Sequence, residues 1–410
     1  MNKWFKYLVL IIFFKTIMSS IEATFELNFP IFRYLLVASG VVCIFKLIDI
    51  KEIFKKQNFL FIKTCFFFIS ILLIHSISIG LDELFSTRRD YINLKSFIGN
   101  YALLYSFLLL IFIKPNPIYW KYFINYSFKL LFILVPFLLL NFGSYITREK
   151  SPEGIIRLFA GASGFLYFLT PYLKPKEKKI VLGILIISFL FMLYHARRNM
   201  VLYFGLFFIF YFLTNLFSST KIIKNTKVKN MFNIFGLIFF GTLIFLITNP
   251  NFSLFFERAE TGMESRDQVI EDFFIDIQPF SYDFYFGRGM YGNYFSSSLG
   301  NDIDGERAIG GGVRNIVENG YLQIILNFGF IFLLIFLIIS FVGIYNGLFK
   351  SHNLLAKACS IVLLVNLIDM IGYGLPEITF KYFLVWLSIP FCFSNYFRNL
   401  SDLQIKNLIK

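Results

Sequence analysis

The side chains in this sequence that could do chemistry are mainly arginines at the borders of apolar segments. Arg197 and Arg198 stand side by side between two apolar stretches, Arg157 opens another, and Arg266 opens an amphipathic segment. A guanidinium is permanently charged, and its planar fork binds phosphate oxygens two at a time, whereas the lysine ammonium is a point charge. These residues therefore predict a site for a phosphate-containing ligand. The alternative is that they only snorkel to the membrane interface.

Polar residues also gather at 312–323, directly before a long apolar stretch. Glu318 is the only acid in this segment, and a carboxylate at the border of water and lipid becomes a stronger base as it loses hydration. It is therefore the candidate general base. Arg314, Asn319 and Tyr321 are candidate substrate-binding residues beside it. The alternative is an exposed loop acid without a chemical role.

Two further charged residues have both a functional and a structural interpretation. Asp369 lies within an apolar stretch, where acids are rare and usually functional, but an ion pair with an arginine from the same side is equally expected. Arg288, between Gly287 and Gly289, is a candidate substrate-binding residue, or it pairs with carboxylates of its own segment. Histidines and carboxylates do not recur at metal-ligand spacing, so the sequence predicts neither a metal nor a cofactor.

Apolar segments must position these residues. Of the 410 residues, 57% are hydrophobic and 20% are aromatic, and the mean hydropathy is +0.68, which is typical of a polytopic membrane protein. The predicted fold is all-α, one membrane domain over residues 1–410 with about 12 transmembrane helices. The net charge of +14 does not indicate nucleic acid, because the positive residues lie in short joints between apolar segments. The predicted spans are 4–20, 29–50, 58–80, 97–113, 123–143, 155–172, 180–195, 199–217, 232–249, 321–345, 356–374 and 381–397.

Lysines and arginines divide between the two predicted membrane faces. The lysine-rich joints 51–56, 174–179 and 221–229 fall on one side, which the positive-inside rule makes cytoplasmic, and both termini lie there too. Of the 26 lysines, 22 then face the cytoplasm, whereas 12 of the 13 arginines face outward. This division favours a phosphate site on one face over a cationic path across the membrane. The four lysines predicted to face outward are Lys15, Lys95, Lys150 and Lys381.

The outward joints are short except for a predicted large loop, 250–320, between the ninth and tenth spans. This loop contains no lysine, five arginines and twelve acidic residues. Ser265 followed by Gln268 is typical of a capping box, and Val269, Phe273 and Ile277 recur at helical spacing. These positions predict a short amphipathic helix near 265–278, lying at the membrane surface.

Residues 155–345 resemble the bacterial O-antigen polymerase and O-antigen ligase superfamily. The motifs that carry the resemblance follow in the superfamily's order over nearly half of the chain. They are Arg157 with Gly161, Arg197 or Arg198 at an outer helical turn, the pair Ser265 and Arg266, Gly287 with Gly289, the segment from Glu318 to Gln323, and a helix containing Gly329.

The resemblance implies a GT-C-like glycosyltransferase in the bacterial inner membrane, with the large loop and the active site facing the periplasm. Its donor would be a glycan on undecaprenyl pyrophosphate, with the leaving group held by Arg197 or Arg198 together with Arg266. Ligases of the superfamily carry a histidine directly before the asparagine that corresponds to Asn319, whereas this chain has Glu318 at that position. The departure favours a polymerase of lipid-linked repeat units.

Three alternatives to a polymerase follow from the same residues. One is a ligase that moves the finished glycan to lipid A-core, and another is a flippase or transporter for the same lipid-linked glycan. The third is a structural membrane protein with snorkelling arginines. A chain-length regulator protein is the partner expected of a polymerase.

Overall fold

The computed structural model describes the chain in separate stretches, and most of the described residues are helical. These stretches are 2–25, 30–48, 60–82, 109–147, 156, 163–194, 203–210, 268–289, 292–297, 312–314, 317, 319–372 and 380–409. The helices are α1 (Asn2–Phe25), α2 (Pro30–Leu47), α3 (Leu60–Asp82), α4 (Ile118–Leu140), α5 (Phe142–Ile146), α6 (Pro175–Tyr194), α7 (Tyr282–Phe286), α8 (Gly320–Phe349), α9 (Leu354–Asp369), α10 (Phe380–Phe393), α11 (Asn395–Asn399) and α12 (Asp402–Ile409). Strands β1 (Tyr294–Ser296) and β2 (Gly312–Arg314) and the 3-10 turns Leu109–Phe112 and Thr170–Tyr172 complete the named elements. Helical stretches also cover 163–168, 203–210 and 268–276.

Within the described residues, three helical stretches are long and apolar enough to cross a membrane. They are Lys3–Ile21 in α1, Ile118–Leu140 and Gly320–Phe349, and shorter apolar stretches occur at Tyr34–Leu47, Phe67–Ser76 and Phe380–Phe393. The protein is therefore mostly helical with membrane-spanning character, in agreement with the coarse prediction. The total of about 12 spans stays a prediction, because the predicted spans 97–113, 155–172, 199–217 and 232–249 lie partly or wholly outside the described residues.

Aromatic side chains form the core where α1, α4 and α10 meet. Phe5 stacks on Tyr119 with ring centroids 4.0 Å apart, and Trp120 stacks on Phe165 at 5.0 Å. The ring of Phe391 meets Trp120 edge-on. All five side chains are fully buried. Large rings bury much apolar area each, and their preferred stacked and edge-on geometries fix the helices against one another.

Helices α8 and α9 approach closely through two glycines four residues apart. A Cβ added to Gly347 would overlap Ser360 Oγ, and one added to Gly343 would stand 3.1 Å from Leu363 Cδ1. Small residues at this spacing allow two membrane helices to pack backbone against backbone, where dispersion contacts drive association. The two contacts also set the register of this antiparallel pair. Extended along both helices, the register places Met370 level with Phe336.

Helix α8 is broken at Gly329, whose φ of 84° and ψ of 166° are not helical. Gly320 N–H donates to the Met370 carbonyl at 2.7 Å, although a straight helix would place Gly320 about 24 Å beyond Phe336. The break must therefore turn the first half of α8 back toward the end of α9. Broken helices in membrane proteins commonly line a binding site.

Helix α7 and the residues after it dock onto this break. The break leaves carbonyls of α8 without their helical donors, and these accept from outside the helix: Arg288 N–H donates to Leu326 O at 2.7 Å, and Ser76 Oγ of α3 donates to Asn327 O at 3.0 Å. A Cβ on Gly329 would overlap the Tyr285 carbonyl oxygen. The glycine is therefore required both for its positive φ and for the close approach of α7.

A small antiparallel sheet stabilises the predicted loop region and was not expected from the sequence. Tyr294 of β1 lies opposite Arg314 of β2. The 268–276 helix packs against β1: the Phe273 and Tyr294 rings lie 5.6 Å apart, and Asp272 accepts from Ser296 Oγ at 2.7 Å. The helical stretch lies within the predicted range 265–278, while the side of the membrane it faces stays a prediction.

Candidate functional site

The predicted site residues divide between described and undescribed parts of the chain. The residues predicted to contact pyrophosphate or to act as base lie outside the described residues: Arg157, Arg197, Arg198, Arg266 and Glu318. Their roles stay predictions. The structure describes the other five, which are Arg288, Arg314, Asn319, Tyr321 and Asp369.

Asn319 clamps the start of α8 to the end of α9. Its Oδ1 accepts from the backbone N–H of Tyr321 at 3.0 Å and of Leu322 at 3.2 Å, which caps the helix N-terminus. Its Nδ2 donates to the Ile371 carbonyl at 3.2 Å. One side chain thus satisfies free donors of one helix and an acceptor just beyond the other. In this structure Asn319 therefore joins two helix ends, and a contact from Asn319 to substrate stays a prediction.

Tyr321 strengthens the same junction. Its hydroxyl donates to the Leu367 carbonyl at 2.5 Å, on the last turn of α9, and the ring is half-buried. Three consecutive residues, Asn319, Gly320 and Tyr321, therefore each hold the end of α9 by a hydrogen bond. A contact from Tyr321 to substrate stays a prediction.

Asp369, at the C-terminal end of α9, pairs with Lys381 in the first turn of α10. The Asp369 Oδ2 to Lys381 Nζ distance is 2.5 Å, and each side chain is only 5% exposed. The sequence predicted an arginine as the partner of Asp369, whereas the structure shows a lysine. Lys381 had one sequence signal: it is among the few lysines on a predicted face otherwise occupied by arginines.

Aromatic rings surround the Lys381 ammonium. The Nζ atom lies 4.2 Å from the centroid of the Tyr203 ring and 5.0 Å from that of Tyr382. A ring face attracts a cation, and this attraction partly replaces lost hydration. Taking two charges out of water costs several kcal/mol per ion before the ions pair. A fully buried ion pair therefore needs additional favourable contacts, and the two rings supply them. Sequence reasoning did not identify Tyr203, because a tyrosine in an apolar span carries no distinctive pattern.

The buried ion pair gathers segments that adjoin the predicted catalytic residues. Tyr203 stands five residues after Arg198, and Asn319 directly follows Glu318. The contact of Lys381 with Tyr203 and the bond from Asn319 to the chain after α9 bring these two segments to the same end of α9. We refer to Asn319, Tyr321, Asp369, Lys381 and Tyr203 as the junction cluster.

Arg288 is engaged within its own loop. Its Nε donates to Asp283 Oδ2 at 2.7 Å, one terminal nitrogen donates to Asp276 Oδ2 and to the Asn293 carbonyl, and the other donates to the Asp276 carbonyl. Burial alone would lower the pKa of Arg288, but the hydrogen bonds and charges of Asp283 and Asp276 raise it above its ordinary value. This is the loop-internal pairing that the sequence left open, and a substrate contact from Arg288 stays a prediction.

The described residues contain no group of three histidine, cysteine or acidic side chains that could hold a metal ion. Arg314 lies on β2 opposite Tyr294 of β1 and is half-buried, and a contact from Arg314 to substrate stays a prediction. The described residues therefore offer a buried charge pair at the end of α9, and in sequence the residues around it adjoin Arg198 and Glu318. No family model, curated protein or solved structure matches this chain.

Proposed function

We propose that this protein is a membrane glycosyltransferase that polymerises lipid-linked repeat units. It would move a growing glycan from undecaprenyl pyrophosphate to the sugar end of a second lipid-linked repeat unit, at the outer face of the bacterial inner membrane. The resemblance of residues 155–345 to O-antigen polymerases and ligases names this reaction class. The predicted concentration of arginines on one face supports it, since both substrates carry pyrophosphate.

In the proposed reaction an acceptor hydroxyl oxygen attacks the anomeric carbon of the donor sugar. The bond from that carbon to the pyrophosphate oxygen breaks, and undecaprenyl pyrophosphate leaves with the electron pair. Arg198 or Arg197, with Arg266, would stabilise the charge that develops on the leaving group. Glu318 would accept the hydroxyl proton. Attack from the face opposite the leaving group inverts the anomeric centre.

The observation that carries the proposal is the junction cluster. Burying an ionisable residue inside a membrane domain costs free energy, so such residues usually mark a functional site. The cluster also includes residues at the start of α8, the helix that is broken at Gly329. Two members of the cluster follow predicted catalytic residues in the chain, Tyr203 five residues after Arg198 and Asn319 directly after Glu318.

The test uses purified full-length protein in vesicles with a lipid-linked repeat unit as its only substrate. Chain extension is read from the length of the lipid-linked product. Arg198→Ala and Arg266→Ala should each lower the rate at least about 100-fold, because each removes a charge-stabilising donor. Arg307→Ala removes a loop arginine with no assigned role and is the matched control, expected to retain activity. Full extension by both of the first two variants would contradict the pyrophosphate contact.

The same assay separates the polymerase from its nearest alternative. With lipid A-core added, a polymerase still gives longer lipid-linked product, whereas a ligase transfers the glycan to lipid A-core and leaves the repeat unit unextended. Glu318→Gln should abolish extension while binding of the lipid-linked substrate persists, since the amide cannot accept the proton. Normal extension by Glu318→Gln would remove Glu318 as the base.

A further inference from the structure

Two aromatic side chains at the start of α7 are exposed, Phe280 in the turn before it and Tyr282 at its first residue, whereas the other rings of α7 are half-buried. Phe280 is 80% exposed and Tyr282 is 61% exposed, and none of the residues of α7 is buried. Phe280 also has a φ of 69°, a conformation that non-glycine residues seldom adopt. The chain thus holds a large apolar ring outward in an unfavourable backbone geometry, which calls for a partner that covers the ring.

This aromatic surface continues directly into the exposed face of α8. The Phe280 and Phe284 rings lie 6.4 Å apart, and Phe284 stacks on Phe330 of α8 at 5.2 Å. Phe330 begins a stripe of apolar residues at helical spacing that runs down the same face. The exposed members of this stripe are Leu334, Ile338, Phe341 and Tyr345.

The length of α8 places Phe330 at a membrane boundary. Residues 330–349, after the break, measure about 30 Å at 1.5 Å per residue, which equals the thickness of the hydrocarbon core. At the far end the Lys350 ammonium lies 5.0 Å from the Tyr345 ring centroid, a pairing typical of an interface. Phe330, and the Phe284 ring stacked on it, then lie at the opposite boundary.

Two polar side chains on this surface, Tyr282 and Asp283, are paired within the protein. The Tyr282 hydroxyl and His75 Nε2 lie 2.8 Å apart, and the Asp283 carboxylate accepts from Arg288 Nε at 2.7 Å. An unpaired hydroxyl or carboxylate would oppose entry into lipid, whereas a paired one costs much less. The surface therefore combines exposed rings with internally paired polar groups, as a segment in contact with lipid requires.

We propose that Phe280, Tyr282 and Phe284 form an interfacial anchor that inserts into the bilayer on the side where α8 begins. The partner is the lipid bilayer itself, at the boundary of headgroups and acyl chains, where aromatic side chains are enriched. The anchor holds α7 at a fixed depth, and through the Gly287 and Gly329 contact it holds the break of α8 at that depth. This inference does not depend on the proposed enzymatic function.

The test places a nitroxide spin label at position 280 and compares its exposure to oxygen, which concentrates in lipid, with its exposure to a water-soluble nickel chelate. The protein is reconstituted in vesicles of phosphatidylcholine and phosphatidylglycerol, with its four cysteines replaced by alanine and Phe280→Cys added. Leu334→Cys, on the exposed stripe of α8, is the lipid control. Glu271→Cys, at an exposed position of the 268–276 helix, is the water control.

The label at 280 should favour oxygen over the nickel chelate, with a depth about 5–10 Å inside the headgroup boundary. A label that behaves as the one at Glu271→Cys overturns the anchor. A label shielded from both reagents means that protein covers the ring, which also overturns it. A second measurement keeps all native cysteines: Phe280→Trp should add fluorescence that bromine-labelled lipid quenches, and an unquenched signal contradicts the proposal.

Discussion

Removing only one partner of the Asp369–Lys381 pair should destabilise the protein severely, whereas removing both should not. Both side chains are 5% exposed and their charged atoms lie 2.5 Å apart. Lys381→Met leaves the carboxylate buried without a cation and should cost about 3–5 kcal/mol of unfolding free energy. Asp369→Leu should cost a similar amount by leaving the ammonium unpaired. The double variant should recover to within about 1 kcal/mol of the wild type, because the charges and their desolvation disappear together.

The assay is unfolding of the purified protein by sodium dodecyl sulfate in mixed micelles, followed by circular dichroism for the wild type, two single variants and the double variant. Lys381→Arg is the charge-conserving control and should lose less than Lys381→Met, since a guanidinium also pairs with a carboxylate and stacks on the Tyr203 ring. Strictly additive single effects would refute the reasoning. So would a Lys381→Met variant within about 0.5 kcal/mol of the wild type, the range of an ordinary surface change.

Three other variants test the elements around the cluster. Gly329→Ala should detach α7 or prevent folding, because its Cβ would overlap the Tyr285 carbonyl. The control Gly183→Ala, whose Cβ would have no neighbour within 4 Å, should leave stability unchanged or slightly higher. Thermal unfolding compares the two variants. Tyr321→Phe removes the hydroxyl bond to the last turn of α9 and should cost about 1 kcal/mol, measured by the same unfolding assay. Arg288→Met leaves two carboxylates without their cation and should make the loop cleave faster in limited proteolysis, while α8 remains protected.

Apolar runs in the sequence predicted several helices of the described residues, and the reason is physical. A segment that crosses lipid must satisfy all its backbone groups internally and expose apolar side chains, so its composition reveals it. The span predicted at 321–345 appears as Gly320–Phe349, and that predicted at 356–374 as Leu354–Asp369. The ends differ by a few residues because caps such as Asn319 decide them, and a cap depends on local hydrogen bonds.

The sequence did not predict the break of α8 at Gly329. A single glycine in an apolar run fits a continuous helix as well as a broken one. Only the approach of Tyr285 and Gly287 from a segment more than 40 residues earlier makes the positive φ necessary. The small sheet was missed for a related reason, since three-residue strands carry too little alternation to be detected.

The partner of Asp369 was also unpredictable, because the sequence offers several cations on the same predicted face. Position along the chain places Asp369 near one end of the membrane, but not next to a particular side chain. The choice of Lys381 follows from the packing of α9 against α10 and of Tyr203 against Lys381. Distances between side chains of different helices are set by helix rotation, and apolar composition does not determine that rotation.

The two outward lysines that the structure describes bear on the arginine hypothesis. Under the predicted topology only four lysines face outward, and Lys15 and Lys381 are each 5% exposed. Buried lysines of this kind serve the interior of the protein, as Lys381 does through Asp369. The compact ammonium suits that role, because one carboxylate oxygen and two ring faces suffice to hold it. Within the described residues, therefore, both lysines predicted to face outward are buried, which favours the arginine hypothesis over a lysine site for that part of the chain.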